Sequence, residues 1–309
     1  MTAPLAELGG KVAFITGGSS GIGLGIAHAC RAAGMKVAFT YRREDHRDAA
    51  LAALGGGDDV LALALDVTDR DAFSRAADAA ERAFGDVHLL VCNAGVGIRA
   101  GAAEASFQDW DWGLGVNLGG VINAVATFLP RLRARGAGAH IVATSSSAGL
   151  VAGGKIGVYV TSKFAVVGLM ESLRDELEGS GIGVSVFCPG FIRSNLLESE
   201  KMRPAALAND IAKPSTLPPS PEEEATMRKF MAVAMDPAEA GRHVLDGVRR
   251  NDLYILTHPE FEPAVRERME ALLASFPATR APAARAATAR RFMTDLYARE
   301  RAHREQTRE

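Results

Sequence analysis

The sequence contains few cysteines. Cys30, Cys92 and Cys188 are the three among 309 residues, they lie far apart, and their spacing is not that of metal ligands. Each lies in or beside an apolar run, which is typical of a buried free thiol in a reducing compartment. We therefore expect no disulfide and no metal site.

An excess of charge of either sign is also missing. The 35 Lys and Arg residues nearly balance the 37 Asp and Glu residues, for a formal net charge of −2. This balance gives no electrostatic reason to bind nucleic acid or a membrane surface. We therefore expect neither as a partner, and we expect small molecules instead.

Long apolar runs are absent as well. No stretch approaches the run of about 18 apolar residues that a membrane span needs. Residues 1–8 do not show the basic region and apolar run of a secretory signal. We therefore expect a cytoplasmic protein.

What the sequence does contain is an alternation of short apolar segments and longer helical ones. Strands are predicted at residues 12–16, 35–40, 60–65, 87–92, 140–144, 183–188 and 253–256, and helices at 45–54, 70–84, 107–135, 157–177, 237–249 and 263–276. This alternation predicts an α/β fold with a doubly wound parallel sheet of about seven strands and helices on both faces. We assign residues 1–276 to a single domain and 277–309 to a C-terminal helical extension, which either packs on a neighbouring subunit or is solvated.

A glycine-rich turn follows the first predicted strand. It contains four glycines, a Ser-Ser pair and an isoleucine within residues 17–23, and its candidate cofactor-binding residues are Gly17, Ser19, Ser20, Gly21, Ile22 and Gly23. Such glycines allow a tight turn, close approach of a phosphate to the backbone and close packing of the next helix, whose amino terminus offers N–H groups to a pyrophosphate. Because the turn follows a strand and opens a helix, it predicts dinucleotide binding in a Rossmann-type fold.

The second predicted strand ends in Tyr41, Arg42 and Arg43. At this point a dinucleotide fold meets the adenosine ribose, where a carboxylate binds a 2′-hydroxyl and an arginine pairs with a 2′-phosphate. No acid is present here, so the arginines favour NADP(H) over NAD(H). A solvated basic turn is the alternative.

Polar residues and small turns follow the third and fourth predicted strands. The carboxyl ends of parallel strands are where such a sheet places its ligand. We therefore expect these residues to line the adenine and ribose side of the cleft: Asp66, Val67, Asn93, Ala94 and Gly95. For Asn93, capping of its own turn is an equally good interpretation.

Tyr159 and Lys163 lie four residues apart on a long predicted helix, so they share one face. An adjacent ammonium favours the phenolate and suits the phenol to proton transfer. A half-buried Tyr beside a solvated Lys is the alternative.

Ser146 follows the fifth strand, where its hydroxyl can point into the cleft. Asn117 lies inside the 107–135 helix, which suggests a water or a kink near Gly113 to Gly120.

Residues 195–235 show no clear periodicity and are rich in proline, which predicts an irregular insertion that covers the cleft as a substrate lid. Its prolines are Pro204, Pro214, Pro218, Pro219 and Pro221. Its apolar residues suggest a bulky apolar or aromatic ligand, or else packing of the lid onto the body: Leu196, Leu197, Met202 and Leu207.

Taken together, these motifs resemble the short-chain dehydrogenase/reductase family over about residues 8 to 260. The motifs are Thr16-Gly17 with Gly21-Ile22-Gly23, Asn93-Ala94-Gly95, Asn117, Ser146, Tyr159 with Lys163, and Pro189-Gly190. The departures are small: Cys92 replaces a common Asn, Ser194 replaces a usual Thr, and residues 136–139 lengthen one connection.

The resemblance implies roles for individual residues. Tyr159 is the general acid/base, and Ser146 hydrogen-bonds the substrate oxygen. Lys163 binds the nicotinamide ribose and lowers the Tyr159 pKa, while Asn117 holds a water that connects Lys163 to solvent. The segment after the sixth strand also lies on the cofactor, through Pro189, Gly190, Ile192 and Ser194.

A narrower resemblance rests on residues 109–123, 202–204 and 253–260. These segments look like the branch that contains Cα-dehydrogenases of lignin-type aryl ethers and related bulky-alcohol dehydrogenases. Members of that branch usually carry an acid where this sequence has Tyr41. The resemblance implies an enzyme that interconverts a ketone and a secondary alcohol, while the preference for NADP(H) rests on the arginines after the second strand.

Two other functions are alternatives. One is an NAD(H)-dependent dehydrogenase of a polyketide, terpenoid or steroid intermediate, and the other is a catalytically silent NADP-sensing protein. A homodimer or homotetramer is expected, because Ala165 and Gly168 would let two Tyr159 helices meet closely. These small residues would otherwise fit against the sheet.

Overall fold

The computed structural model describes residues 4–209, 220–279 and 281–307. Its centre is a parallel sheet of seven strands in the order β3-β2-β1-β4-β5-β6-β7. The strands are β1 Val12–Ile15, β2 Lys36–Tyr41, β3 Val60–Ala64, β4 Leu89–Cys92, β5 Ala139–Thr144, β6 Ile182–Cys188 and β7 Tyr254–Leu256. The predicted fold class and the predicted seven strands are confirmed.

Helices cover both faces of the sheet. Along β1 the side chains alternate, so that Val12 and Phe14 pack into one apolar core and Ala13 and Ile15 into the other. The helices are α1 Gly21–Ala32, α2 Glu44–Ala53, α3 Arg70–Phe84, α4 Phe107–Leu114, α5 Gly120–Arg135, α6 Gly157–Glu176, α7 Pro221–Val233, α8 Pro237–Arg250, α9 Glu262–Ala274, α10 Ala283–Arg290 and α11 Leu296–Thr307.

The predicted break in the 107–135 helix is present. A π-helical turn, Gly115–Gly119, separates α4 from α5 and contains the fully buried Asn117. Within the described residues, Phe107–Arg135 is the one stretch long and apolar enough to cross a bilayer, with a mean hydropathy of 1.4. Half of the most apolar 18-residue window in this stretch is buried inside the fold, as expected for a core helix.

The expectation that residues 195–235 are irregular is wrong for much of the described part. Asn195–Met202 and Ala205–Leu207 form 3₁₀ turns, and α7 follows. A 3₁₀ turn has no 3.6-residue repeat, and the described side chains of α7 are mostly exposed, so neither produces an amphipathic pattern. Pro214, Pro218 and Pro219 lie outside the described residues.

The end of the C-terminal extension packs on its own chain, which neither sequence-based expectation anticipated. Leu296 of α11 is buried, whereas Phe292 and Met293 before it are exposed. Arg299 of α11 pairs with Asp175 on α6 at 2.7 Å. The helix is therefore fixed to the helix that carries Tyr159.

A buried ion pair forms the centre of this contact. Arg174 Nε donates to Glu300 Oε1 at 2.8 Å, and the two side chains are only 5% and 6% exposed. Arg174 also donates to the side-chain and main-chain oxygens of Asn251. Asn251 ends α8 in the left-handed region, at φ 59°, which asparagine tolerates better than most residues.

Replacement of Glu300 by Ala leaves the Arg174 guanidinium buried without its counter-charge. We expect the free energy of unfolding to fall by about 3 kcal/mol, measured by urea denaturation. Arg301→Ala, at an exposed position of the same helix, is the matched control and should change it by no more than about 0.5 kcal/mol. Equal effects of the two substitutions would contradict this account of the docked helix.

Candidate active site

The glycine-rich turn between β1 and α1 forms one wall of a cleft at the carboxyl edge of the sheet. Gly17 has φ 63°, and its N–H donates to Thr40 Oγ1 at 3.0 Å. A Cβ at Gly17 would lie 2.9 Å from Ala94 Cα, so this position requires glycine for space as well as conformation. Among the described residues, no side chain caps the start of α1, which leaves its first N–H groups available to an anion.

Gly23 lies behind this wall and does not line the cleft. A Cβ there would collide with the carbonyl oxygen of Gly17 and would lie 2.5 Å from Asn93 Nδ2. Its function is therefore the close packing of α1 on the turn. This is the third of the roles that the sequence assigned to the glycines.

Asn93 connects strand ends instead of only capping its own turn. Its Nδ2 donates to the carbonyl oxygens of Thr16 at 3.2 Å and Gly17 at 3.3 Å. Thr144 Oγ1 donates to Asn93 Oδ1 at 3.2 Å, and Asn93 N donates to Thr16 Oγ1 at 2.8 Å. These contacts join the carboxyl ends of β1, β4 and β5 beneath the cleft.

The rim near β2 is basic. Arg42 Nε lies 3.5 Å from Asp66 Oδ2, and Arg43 Nε donates to Asp45 Oδ1 at 2.9 Å. The hydrogen bond from Arg43 lowers the pKa of Asp45 to about 2. His46, which the sequence reasoning missed, lines the cleft beside both arginines because α2 begins immediately after β2.

Tyr159 and Lys163 lie one turn apart on α6 and both line the cleft. Lys163 Nζ is 5.6 Å from the centre of the Tyr159 ring and donates to the carbonyl oxygen of Thr144 at 2.9 Å. Burial lowers the pKa of Lys163 to about 8. Lys163 is only 4% exposed, and its ammonium is fixed by the end of β5.

Burial raises the pKa of the Tyr159 phenol, and a hydrogen bond with Ser146 opposes this shift. We expected Lys163 to lower this pKa, but in the structure the opposing group is Ser146. The Ser146 hydroxyl also accepts a hydrogen bond from the N–H of Ala148 at 3.1 Å. This contact fixes Ser146 at the start of a short 3₁₀ turn, facing the phenol.

Asn117 is buried beneath the cleft and does not line it. Its Oδ1 accepts from Val96 N at 2.8 Å, and its Nδ2 donates to Val96 O at 3.0 Å and Ser162 Oγ at 3.1 Å. These contacts occupy the side chain and connect the π turn to α6. Retention of a water by Asn117 stays a prediction.

The structure brings nearly all of the predicted site residues around this one cleft. Those that line it are Gly17, Ser19, Ser20, Gly21, Ile22, Tyr41, Arg42, Arg43, Asp66, Val67, Asn93, Ala94, Gly95, Ser146, Tyr159, Lys163, Pro189, Gly190, Ile192 and Ser194. The cleft has further lining residues that the sequence reasoning did not name as site residues: Thr40, His46, Leu65, Val96, Val116, Thr144, Ser145, Asn195, Leu196, Ser199 and Met202.

The predicted lid supplies part of the cleft wall. Leu196 and Met202 line the cleft, whereas Leu197 is 48% exposed and Leu207 packs on the core. Met202 packs on the core as Leu207 does and also lines the cleft, so packing of the lid onto the body is present, and a bulky or aromatic ligand stays a prediction. Ser199 and Asn195 carried no pattern that would have identified them, because they depend on the 3₁₀ turn.

Comparison with known proteins agrees with this geometry. The short chain dehydrogenase family matches residues 11–204. The chain is 37% identical over 267 residues to a C alpha-dehydrogenase of Sphingobium sp. strain SYK-6, covering 86% of each protein. It is 34% identical over 194 residues to an NADP-dependent (R)-specific alcohol dehydrogenase of Lentilactobacillus kefiri, covering 62% of this chain and 77% of that protein.

A solved structure is similar over most of the chain. The short chain dehydrogenase/reductase of Burkholderia phymatum, solved in complex with NAD, superposes with a TM-score of 0.80 at 34% identity. The match covers 90% of this chain and 99% of that one. The two proteins therefore share the sheet and most of the surrounding helices.

The shifted pKa of Lys163 predicts a pH dependence of stability. Burial lowers it from 10.5 to about 8, so between these values the unfolded chain binds more protons than the folded protein. The contribution of Lys163 to the free energy of unfolding is therefore least favourable below pH 8 and rises with pH across that window. Relative to Lys163→Met, the wild type should gain about 2 kcal/mol between pH 7 and pH 10. Urea titrations without added cofactor measure this difference, and parallel pH profiles of the two proteins would contradict it.

Proposed function

Because the chain belongs to the short-chain dehydrogenase/reductase family, we propose that it interconverts a secondary alcohol and a ketone with NADP(H). The observation that carries this proposal is the convergence of Tyr159, Ser146 and Lys163 on the cleft that the glycine-rich turn also lines. The turn and the first N–H groups of α1 suit a pyrophosphate. The bound nicotinamide supplies or accepts the hydride.

Each of these three side chains has a role in the proposed reaction. In the reducing direction Tyr159 donates its proton to the oxygen that develops negative charge as the carbonyl carbon accepts the hydride. Ser146, whose hydroxyl lies beside the phenol in the same cleft, donates to the same oxygen, and a preorganised donor of this kind contributes about 3 kcal/mol to the transition state. Lys163 binds the nicotinamide ribose, and Asn117 holds α6 to the π turn beneath it.

Burial of the phenol suits the reducing direction. Because burial raises the pKa of Tyr159, the phenol is protonated at neutral pH and is ready to act as the acid. In the oxidising direction the same phenol must first lose its proton. A positive charge beside the phenol would favour this loss, because it stabilises the phenolate.

The preference for NADP(H) rests on the rim. Arg42 and Arg43 flank the end of β2, His46 lies beside them, and Tyr41 occupies the place where an acid would bind a 2′-hydroxyl. The relatives differ in this respect, because one is NADP-dependent by name and the Burkholderia structure contains NAD. The basic rim of this chain favours the phosphorylated cofactor.

A bulky or aromatic substrate is supported by the apolar wall. Leu196 and Met202 of the lid face the cleft that Tyr159 lines. The Sphingobium relative is named a C alpha-dehydrogenase. A polyketide, terpenoid or steroid ketone would fit the same apolar wall and is the second candidate.

We also propose that the enzyme is a cytoplasmic homo-oligomer. Gly168 on α6 is exposed, and no atom lies within 4 Å of a Cβ built on it. It therefore does not fit against the sheet, which was the alternative explanation for a glycine at this position. A second α6 helix would find room there.

Tyr159→Phe tests the reaction. The substitution removes the proton that is transferred but keeps the ring, so turnover of an aryl ketone with NADPH should fall by about a thousandfold. The Kd for NADPH, measured by fluorescence titration, should change by less than about twofold. Retained turnover would refute the role of Tyr159, and a wild type that binds NADPH but reduces no ketone would favour the silent sensor.

Arg42→Ala tests the cofactor preference. Loss of a charge-assisted hydrogen bond to the 2′-phosphate should lower kcat/KM for NADPH by about tenfold to a hundredfold, with little change for NADH. Arg75→Ala, at an exposed position on α3 outside the cleft, is the control. An equal loss with both cofactors would mean that Arg42 does not recognise the 2′-phosphate.

A further inference from the structure

Two segments that are distant in sequence meet at the far wall of the cleft. Asp109 lies in the first turn of α4, and Arg203 lies directly after the 3₁₀ turn Asn195–Met202 of the lid. Arg203 Nη2 donates to Asp109 Oδ1 at 2.8 Å. The side chains are only 8% and 1% exposed, so this is a buried ion pair between the lid and the body.

The Asp109 carboxylate is saturated with donors. Its Oδ2 accepts from the Ser106 hydroxyl at 3.0 Å and from the N–H of Ser106 at 2.9 Å, and the N–H of Asp109 donates to Ser106 Oγ at 3.1 Å, which closes a capping box at the start of α4. Its Oδ1 also accepts from Asn209 Nδ2 at 3.0 Å. Although burial opposes ionisation, the hydrogen bonds from Asn209, Ser106 and Arg203 hold the pKa of Asp109 at about 2. The carboxylate is therefore fixed and charged before any substrate arrives.

The Arg203 guanidinium has further hydrogen-bond partners besides Asp109. It donates to both oxygens of Glu200 at 2.8 Å and to the carbonyl oxygen of Leu207 at 3.2 Å. Its face lies 4.3 Å from the centre of the Trp112 ring on α4. Only a planar, forked cation satisfies this set of partners, since the ammonium of a lysine has neither the fork nor the flat face.

Such a pair specifies position more than it adds stability. A buried ion pair contributes little net stability relative to an apolar contact of the same size, because both charges lose their water. Its hydrogen bonds are nevertheless short and directional, so the pair allows one placement of the lid on α4. Loss of Arg203 leaves the Asp109 carboxylate buried without its counter-charge, and loss of either partner removes this contact between the lid and α4.

The contact between Arg203 and Asp109 fixes the residues that form the apolar wall of the cleft. Met202, adjacent to Arg203, lines the cleft. The middle of the same turn is held by Ser199, whose Oγ accepts from Gly97 N at 2.8 Å and donates to Leu196 O at 2.6 Å. Met202 thus lies between these two anchors, and Leu196 is held by the hydrogen bond that its carbonyl oxygen accepts from Ser199.

We propose that Arg203 and Asp109 are positioning residues that set the apolar wall of the substrate site, and with it the preference for bulky ketones over small ones. The proposal rests on the proposed function. The pair touches neither the cofactor side of the cleft nor Tyr159, so it acts through Leu196 and Met202.

Kinetics with two ketones test the proposal. The variants are Arg203→Met, Arg203→Lys, Asp109→Asn and the double variant, assayed with NADPH on propiophenone and on 2-butanone. In Arg203→Met the ratio of kcat/KM for propiophenone to that for 2-butanone should fall by about tenfold, mainly through KM for propiophenone. The Kd for NADPH should stay within about twofold.

The variants should also differ from one another in a defined way. Arg203→Lys should fall between the wild type and Arg203→Met, and the double variant should lose no more than either single variant, because the two residues act as a unit. Arg228→Met removes an exposed lid arginine that pairs with Glu224 at 3.6 Å, and it should leave the ratio unchanged. A proportional loss on both ketones would overturn the proposal.

Hydrogen exchange separates this proposal from the proposed function and does not depend on turnover. In Arg203→Met the amides of residues 195–209 should lose protection, while those of β1 and β2 keep it. Unchanged protection of 195–209 would overturn the proposal, as would lost protection with an unchanged ketone ratio. A wild type inactive on both ketones would refute the proposed function, and the exchange experiment would still decide whether the pair fixes the lid.

Discussion

The cleft depends on one series of hydrogen bonds across the carboxyl ends of three neighbouring strands. Thr16 after β1 contacts Asn93 after β4, Asn93 contacts Thr144 at the end of β5, and the Thr144 carbonyl oxygen accepts from Lys163 on α6. The glycine-rich turn and the Tyr159 helix are therefore parts of one polar framework. Thr16, Thr144 and Lys163 are buried and Asn93 is half-buried, so displacement of one group would leave its partners short of hydrogen bonds.

The same burial acts in opposite directions on the two titratable groups of α6. It raises the pKa of Tyr159 and lowers that of Lys163 to about 8, because loss of water disfavours the charged form of each. A sequence shows the spacing of these residues, which predicts attraction between an ammonium and a phenolate. It does not show how much water each group loses, and in the structure that loss is the larger influence on both.

Features that depend on neighbouring residues were predictable. The apolar strands, the glycine-rich turn and the interruption of the 107–135 helix around Asn117 all follow from local patterns, and the structure contains them. Ion pairs between residues that are distant in sequence were not predictable. Glu300 and Arg174 are 126 positions apart, and Arg203 and Asp109 are 94 apart. Each of these four residues reads locally as an ordinary surface charge, because only the fold determines which charge it meets and how deeply.

The contact between the lid and α4 has a consequence for how such enzymes diversify and how they are re-engineered. A lid transplanted from a relative would bring its own arginine or lose it, and the recipient's aspartate and tryptophan on α4 would then face the wrong partner. Residues 106–112 and 195–209 therefore form one two-part unit, and a chimera that exchanges only one part would bring unmatched side chains into contact.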